Sequence, residues 1–264
     1  MRKLIFILCF CSVLIFPFTE KNIKIYSKSM KKDIPVTVIL PDGYSNNKKY
    51  NVIYVLHGWS GTNRDFPEKT SIGELADEYN VIYISPDGNY DSWYIDSNLN
   101  RESRYMTFVS KELVGYVDLN YSTNADKNGR AITGLSMGGF GALYIGIKNQ
   151  DTFGNIGSMS GGASPEEYSK NWGIDKIINN NWKEYNIKDI AHALIWTKSN
   201  IIIDCGIGDF FIKPNRDLHQ KLLELNIDHE YIERPGTHSW EYWNNSIKYQ
   251  TFFFNQKFNE KEYR

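Results

Sequence analysis

The sequence predicts an α/β fold, a mostly parallel central sheet with helices on both faces. Short apolar runs rich in β-branched residues alternate with helical patterns along the chain, which is the order of βα units. Two of the runs, Val52–Leu56 and Val81–Ser85, are nearly continuous in apolar residues, as strands covered on both faces are. A length of 264 residues suits one undivided domain of this class with a full core.

The first twenty residues stand apart. Arg2 and Lys3 precede an apolar run from Leu4 to Phe18, ahead of the first acid, Glu20. A basic start before such a run reads as a secretory signal peptide, and the run is short for a spanning helix, which needs roughly 20 residues. No Ala-x-Ala cleavage site is visible. The expectation is an exported chain, periplasmic or secreted, with an N-terminal anchor as the competitor, and a single domain over 21–264. Of the three Cys, two lie in the leader and Cys205 remains. The mature chain can therefore form no internal disulfide and no Cys-based zinc site.

Within the domain, Ile23–Ser27 and Val36–Leu40 alternate and open the fold as an antiparallel pair, closed by the turn Pro41-Asp42-Gly43. Val52–Leu56 and Val81–Ser85 follow as strands. Arg104–Tyr121 carries helical spacing, with Met106, Val109, Leu113 and Val117 on one face. Ala131–Thr133 is a short strand and Gly138–Lys148 a helix rich in small residues. Ile156–Ser160, Ile201–Cys205 and His229–Ile232 complete the sheet, with helices over Arg216–Leu225 and Trp240–Phe254. The polar stretch 161–199 reads as an excursion over the strand ends.

Chemistry concentrates at Gly134-Leu135-Ser136-Met137-Gly138, a G-x-S-x-G between a strand and a helix. That context is a nucleophile elbow, in which a sharp turn exposes a serine and the flanking glycines remove clashing Cβ atoms. A serine hydroxyl needs a base. Of the five His, His238 lies in the loop after the last strand, where this elbow expects its base. The acid belongs after the preceding strand, and Asp209 is the first carboxylate beyond it. Asp204 lies inside that strand, and Asp217 sits about a helical turn too far along. Acyl transfer also needs two main-chain donors for an oxyanion. Met137 follows the nucleophile, and Trp59 follows His57-Gly58 at the end of Val52–Leu56. His57 itself is read as a strand-end residue that bonds locally.

In combination, Leu56-His57-Gly58, Asp91-Ser92-Trp93-Tyr94, Gly134 to Gly139, Asp204-Cys205-Gly206 with Asp209, and Pro235 to Trp240 resemble the esterase D-like family of the α/β-hydrolase superfamily. That family includes feruloyl and acetyl xylan esterases, tributyrin-type esterases, S-formylglutathione hydrolases and mycolyltransferases. The resemblance spans roughly 25–255. It implies Ser136 as nucleophile, Asp209 as acid, His238 as base, and donors at Trp59 and Met137. No cofactor and no metal are expected.

The leading expectation is an exported carboxylesterase acting on acetylated or feruloylated carbohydrate. A general short-chain carboxylesterase or thioesterase is the alternative, followed by an acyltransferase and a non-catalytic carbohydrate-binding relative. A chromogenic acetyl ester separates enzyme from binder. Trp93, Tyr94 and Trp240 lie in loops expected to converge near Ser136. They are read either as substrate-binding faces or as loop packing. A formal net charge of −1 gives no general reason to expect nucleic acid or an anionic membrane as partner. The partner expected is a small-molecule or oligosaccharide ester.

Overall fold

The computed structural model describes residues 17–179 and 181–260. Eight strands form one sheet: β1 (Thr19–Ser27), β2 (Lys32–Leu40), β3 (Val52–Leu56), β4 (Ile82–Pro86), β5 (Arg130–Gly134), β6 (Asn155–Met159), β7 (Asn200–Gly206) and β8 (Glu230–Arg234). Their order is β1-β2-β4-β3-β5-β6-β7-β8. β2 is antiparallel to both β1 and β4, and the pairs from β4 to β8 are parallel. The fold is that of an α/β-hydrolase.

The continuous apolar runs follow from burial on both faces. In β3, Val52, Tyr54 and Leu56 belong to one core cluster, while Ile53 and Val55 belong to the other. The short α1 (Asp65–Lys69), α2 (Ile72–Tyr79) and α8 (Trp240–Asn259) cover the second cluster through Phe66, Leu75 and Ile247. The opposite face carries α3 (Tyr105–Thr107), α4 (Val114–Asn120), α5 (Met137–Lys148), α6 (Ile187–Ile190) and α7 (Ile212–Glu224).

Several elements differ from the sequence reading. The helix expected over 104–121 contains a π-helical segment, Phe108–Leu113, between α3 and α4. There Glu112 accepts from Ser27 Oγ at 2.6 Å and from the Ser29 N–H at 2.8 Å, tying the helix to the β1–β2 hairpin. α7 starts at Ile212 rather than Arg216, because Pro214 falls in the first turn, where its missing N–H has no helical partner to lose. His229 lies just before β8 rather than within it. β1 begins at Thr19, which pairs with Leu40, and Phe18 packs against Gly73 of α2. The packed domain thus reaches back past residue 21. The leader up to residue 16 lies outside the described residues. Among the described residues, no helix is long and apolar enough to cross a membrane.

The strand order reverses between β3 and β5, because β4 flanks β3 on one side and β5 on the other. Loops leaving the carboxyl ends of such neighbours diverge and open a crevice. Ser136, His238, Trp59 and Met137 border one cleft at these strand ends.

Candidate active site

Ser136 sits between the end of β5 and the start of α5 with φ 56° and ψ −119°. That conformation costs a non-glycine residue on the order of 1–3 kcal/mol and persists only when surrounding structure fixes it. The fixing bonds run both ways: the Leu135 N–H donates to Leu56 O at 3.1 Å, and the Ser136 N–H to Met159 O at 3.0 Å. Gly138 is required by close approach, since a Cβ there would collide with the backbone carbonyls of Leu56 and His57.

His238 reaches Ser136 from the loop after β8. Its Nε2 lies 2.9 Å from Ser136 Oγ, and its Nδ1 lies 2.8 Å from Asp209 Oδ2 and 3.0 Å from Oδ1. Asp209 is buried, and its Oδ1 also accepts from the Phe211 N–H at 2.8 Å. With the carboxylate accepting, Nδ1 carries the proton and Nε2 presents its lone pair to the serine hydroxyl. The two loops are joined directly: the Ile207 N–H donates to Arg234 O at 3.0 Å and the Gly208 N–H to Gly236 O at 2.9 Å.

Asp204 points elsewhere. It is fully buried and accepts from Ser246 Oγ at 2.7 Å and from Gln250 Nε2 at 2.9 Å. Burial pushes its carboxyl up, and the Ser246 bond and the nearby Arg234 charge act against that. His57 is also fully buried. Its Nδ1–H donates to Gly58 O at 2.7 Å while its Nε2 accepts from the Gly88 N–H at 2.7 Å. Both nitrogens are thereby used, and burial pushes its pKa down, so the ring is neutral. His219 and His229 pair with each other at 2.7 Å, and His192 bonds to Asp189 O at 2.9 Å.

Ser136 and His238 open into a cleft of about 280 Å3. Trp59 and Met137 line it, and neither residue's N–H has an acceptor among the described residues. Both residues share the cleft with Ser136, and free main-chain donors are the groups that an oxyanion needs. Trp240 lines the cleft half-buried, and Trp59 is 37% exposed. Tyr94 is a correction to the expected substrate rim. It is fully buried, lies outside the cleft's lining, and donates from its hydroxyl to His57 O at 3.3 Å. Trp93 borders the cleft, yet it is 1% exposed and its indole N–H donates to Trp172 O at 3.0 Å. The cause is backbone: Trp93 and Tyr94 both have positive φ, 51° and 55°, so the chain doubles back and drives the two rings under the loop.

The aromatic faces that do reach the cleft include two that the sequence reading did not single out. Phe210, 53% exposed, packs 4.2 Å from the His238 ring, and Trp172 stacks on Phe210 at 5.7 Å. Phe210 follows Asp209 directly, which was the available signal; Trp172 sits in the aperiodic excursion and carried none. Among the described residues, no group of three or more His, Cys, Asp or Glu could hold a metal ion.

The family model described as "Putative esterase" matches residues 27–253. An acetyl esterase from Caldicellulosiruptor saccharolyticus is 31% identical over 257 residues, 86% of this chain and 94% of that protein. Among solved structures, a ferulic acid esterase from Anaeromyces mucronatus is 26% identical, with a TM-score of 0.69 over 93% of this chain and 91% of that one. The fluorophosphonate-binding serine hydrolase FphF of Staphylococcus aureus superposes with a TM-score of 0.81 at 22% identity, covering 91% of this chain and 99% of its own.

Proposed function

The chain belongs to this esterase family and is a carboxylesterase, and from that premise we propose that Ser136, His238 and Asp209 are its catalytic triad and that it deacylates acetylated or feruloylated carbohydrate. The observation that carries the triad is the unbroken contact from Asp209 Oδ2 through His238 to Ser136 Oγ, 2.8 Å and 2.9 Å, on a strained elbow at the cleft floor.

His238 Nε2 takes the hydroxyl proton as Ser136 Oγ attacks the acyl carbon. The carbonyl oxygen becomes an oxyanion and accepts from the N–H groups of Trp59 and Met137. Collapse breaks the ester bond, and the departing alcohol takes the proton from His238. Water then attacks the acyl-enzyme with His238 again as base, releasing the carboxylic acid and restoring Ser136. Asp209 holds the Nδ1 proton throughout and stabilises the imidazolium.

The carbohydrate half of the reading is supported by the acetyl esterase relative, the ferulic acid esterase neighbour and the aromatic lining of the cleft. Ser136→Ala is expected to lower kcat by about 10⁴ or more, and a fluorophosphonate to label Ser136 alone. Label on another serine, or a Ser136→Ala enzyme of near-normal rate, overturns the triad. Equal kcat/KM for acetylated xylo-oligosaccharide and a matched alkyl acetate would leave a general short-chain carboxylesterase.

A further inference from the structure

We propose that Asp65 and Lys69 form the alcohol subsite of the cleft and read the hydroxyls of a neutral, polyhydroxylated leaving group. The inference rests on the carbohydrate-ester reading of the same cleft and assigns it residues.

The cleft is two-sided about His238. On one side lie Phe210 and Phe211, with ring centroids 4.2 Å and 5.3 Å from the imidazole, and Trp172 stacked behind Phe210. That wall is aromatic and suits an acyl group. The other side starts with Trp243, 4.8 Å from His238, and continues to Trp240, 5.2 Å further on. Lys69 Nζ lies 4.7 Å over the Trp240 ring, and Asp65 Oδ1 lies 2.8 Å from Lys69 Nζ. Both Asp65 and Lys69 line the same cleft as Ser136. The polar leaving group belongs on the wall that carries polar partners.

An i,i+4 pair on a short helix is by itself an ordinary surface feature. Three observations set this one apart. It borders the cleft that holds Ser136. The Trp240 face beneath it orients the ammonium, a contact that favours a cation over an indole. Asp65 also sits against the loop that carries Trp59, since a Cβ on Gly61 would collide with both Asp65 Oδ2 and His57 Nδ1. The pair therefore stands next to the loop that carries Trp59.

Its chemistry selects the ligand. Lys69 keeps two N–H donors beyond the one given to Asp65, and Asp65 Oδ2 accepts from nothing among the described residues. Donors and acceptors side by side match vicinal hydroxyls, each of which both donates and accepts. The pair carries no net charge, so an anion would meet the Asp65 carboxylate and a cation the Lys69 ammonium.

The test holds the acyl group constant and varies the alcohol. Lys69→Met, Lys69→Gln and Asp65→Asn are assayed on acetylated xylo-oligosaccharide, the acetyl ester of a uronic acid, and phenyl acetate. Each variant is expected to lose at least tenfold more kcat/KM on the neutral sugar ester than on phenyl acetate, mainly through KM. The double variant should lose little more than either single one. Equal losses on both esters, or none on either, overturn the subsite. A wild-type preference for the uronic ester overturns the neutral-hydroxyl assignment in favour of an anion site at Lys69. A wild-type enzyme that does not favour the sugar ester over a matched alkyl acetate fails earlier, at the carbohydrate reading itself.

Discussion

Asp209 and Asp204 lie on the same strand-and-turn segment, and their surroundings separate their roles. Asp209 meets His238 Nδ1, whereas Asp204 is held by Ser246 and Gln250 of α8. Asp209→Asn is expected to cost about 10⁴ in kcat, because an amide favours the wrong imidazole tautomer, with little change in melting temperature. Asp204→Asn should act on stability instead, by up to about 3 kcal/mol, since buried Ser246 and Gln250 lose a charged acceptor and half-buried Arg234 its partner 3.5 Å away. Steady-state kinetics and thermal melts on both variants separate the cases. A reversed pattern would move the acid to Asp204.

Strand-end positions were legible in the sequence because they follow from chain order alone. Ser136 after β5, Asp209 after β7 and His238 after β8 needed only the apolar runs and the glycines around them, and the structure brings the three together. The substrate walls were less legible, because side-chain direction in a loop depends on backbone angles that no periodicity reports. Trp93 and Tyr94 turn inward through two consecutive positive φ values, while the described residues of the excursion fold as short 3-10 turns and the brief α6, and deliver Trp172 to the cleft. The roles of these two tryptophans are expected to divide accordingly. Trp172→Ala should weaken kcat/KM on a feruloyl ester relative to an acetyl ester by about 1–3 kcal/mol, the scale of one pocket contact. Trp93→Ala should lower stability by about 3–5 kcal/mol, as large core truncations do. Selectivity measured beside melting temperature checks both, and a Trp172→Ala enzyme with unchanged selectivity would make that residue loop packing.

At the scale of the whole molecule, buried His57 ties stability to pH. Its two nitrogens are bonded to Gly58 and Gly88 in the interior, and burial holds its pKa below the ordinary value of 6.5. Below about 6.5 the unfolded chain takes up a proton that the folded one refuses, so stability falls as pH falls. Above that value both states are neutral and the effect vanishes. Glu233, lowered to about 2 chiefly by its bonds from Arg216, contributes in a separate window, as pH falls from about 4.5. Melting temperature should therefore drop between pH 7 and pH 5, and His57→Gln should flatten that drop even if it melts lower at pH 7. An unchanged slope would mean that His57 protonates within the fold.

β8 is the last strand of the sheet and, among the described residues, pairs only with β7. Asp209 comes off the end of β7 and His238 off the end of β8, stitched by the Ile207 and Gly208 bonds. One edge seam thus carries two of the three groups of the proposed triad, while Ser136 follows β5 deep in the sheet. Edge segments open locally at far lower free energy than the whole domain unfolds. Opening of this one strand would carry His238 away from Ser136 while the pairing from β1 to β7 remains. On the proposed triad, opening of this one short strand would idle the enzyme while the fold persists.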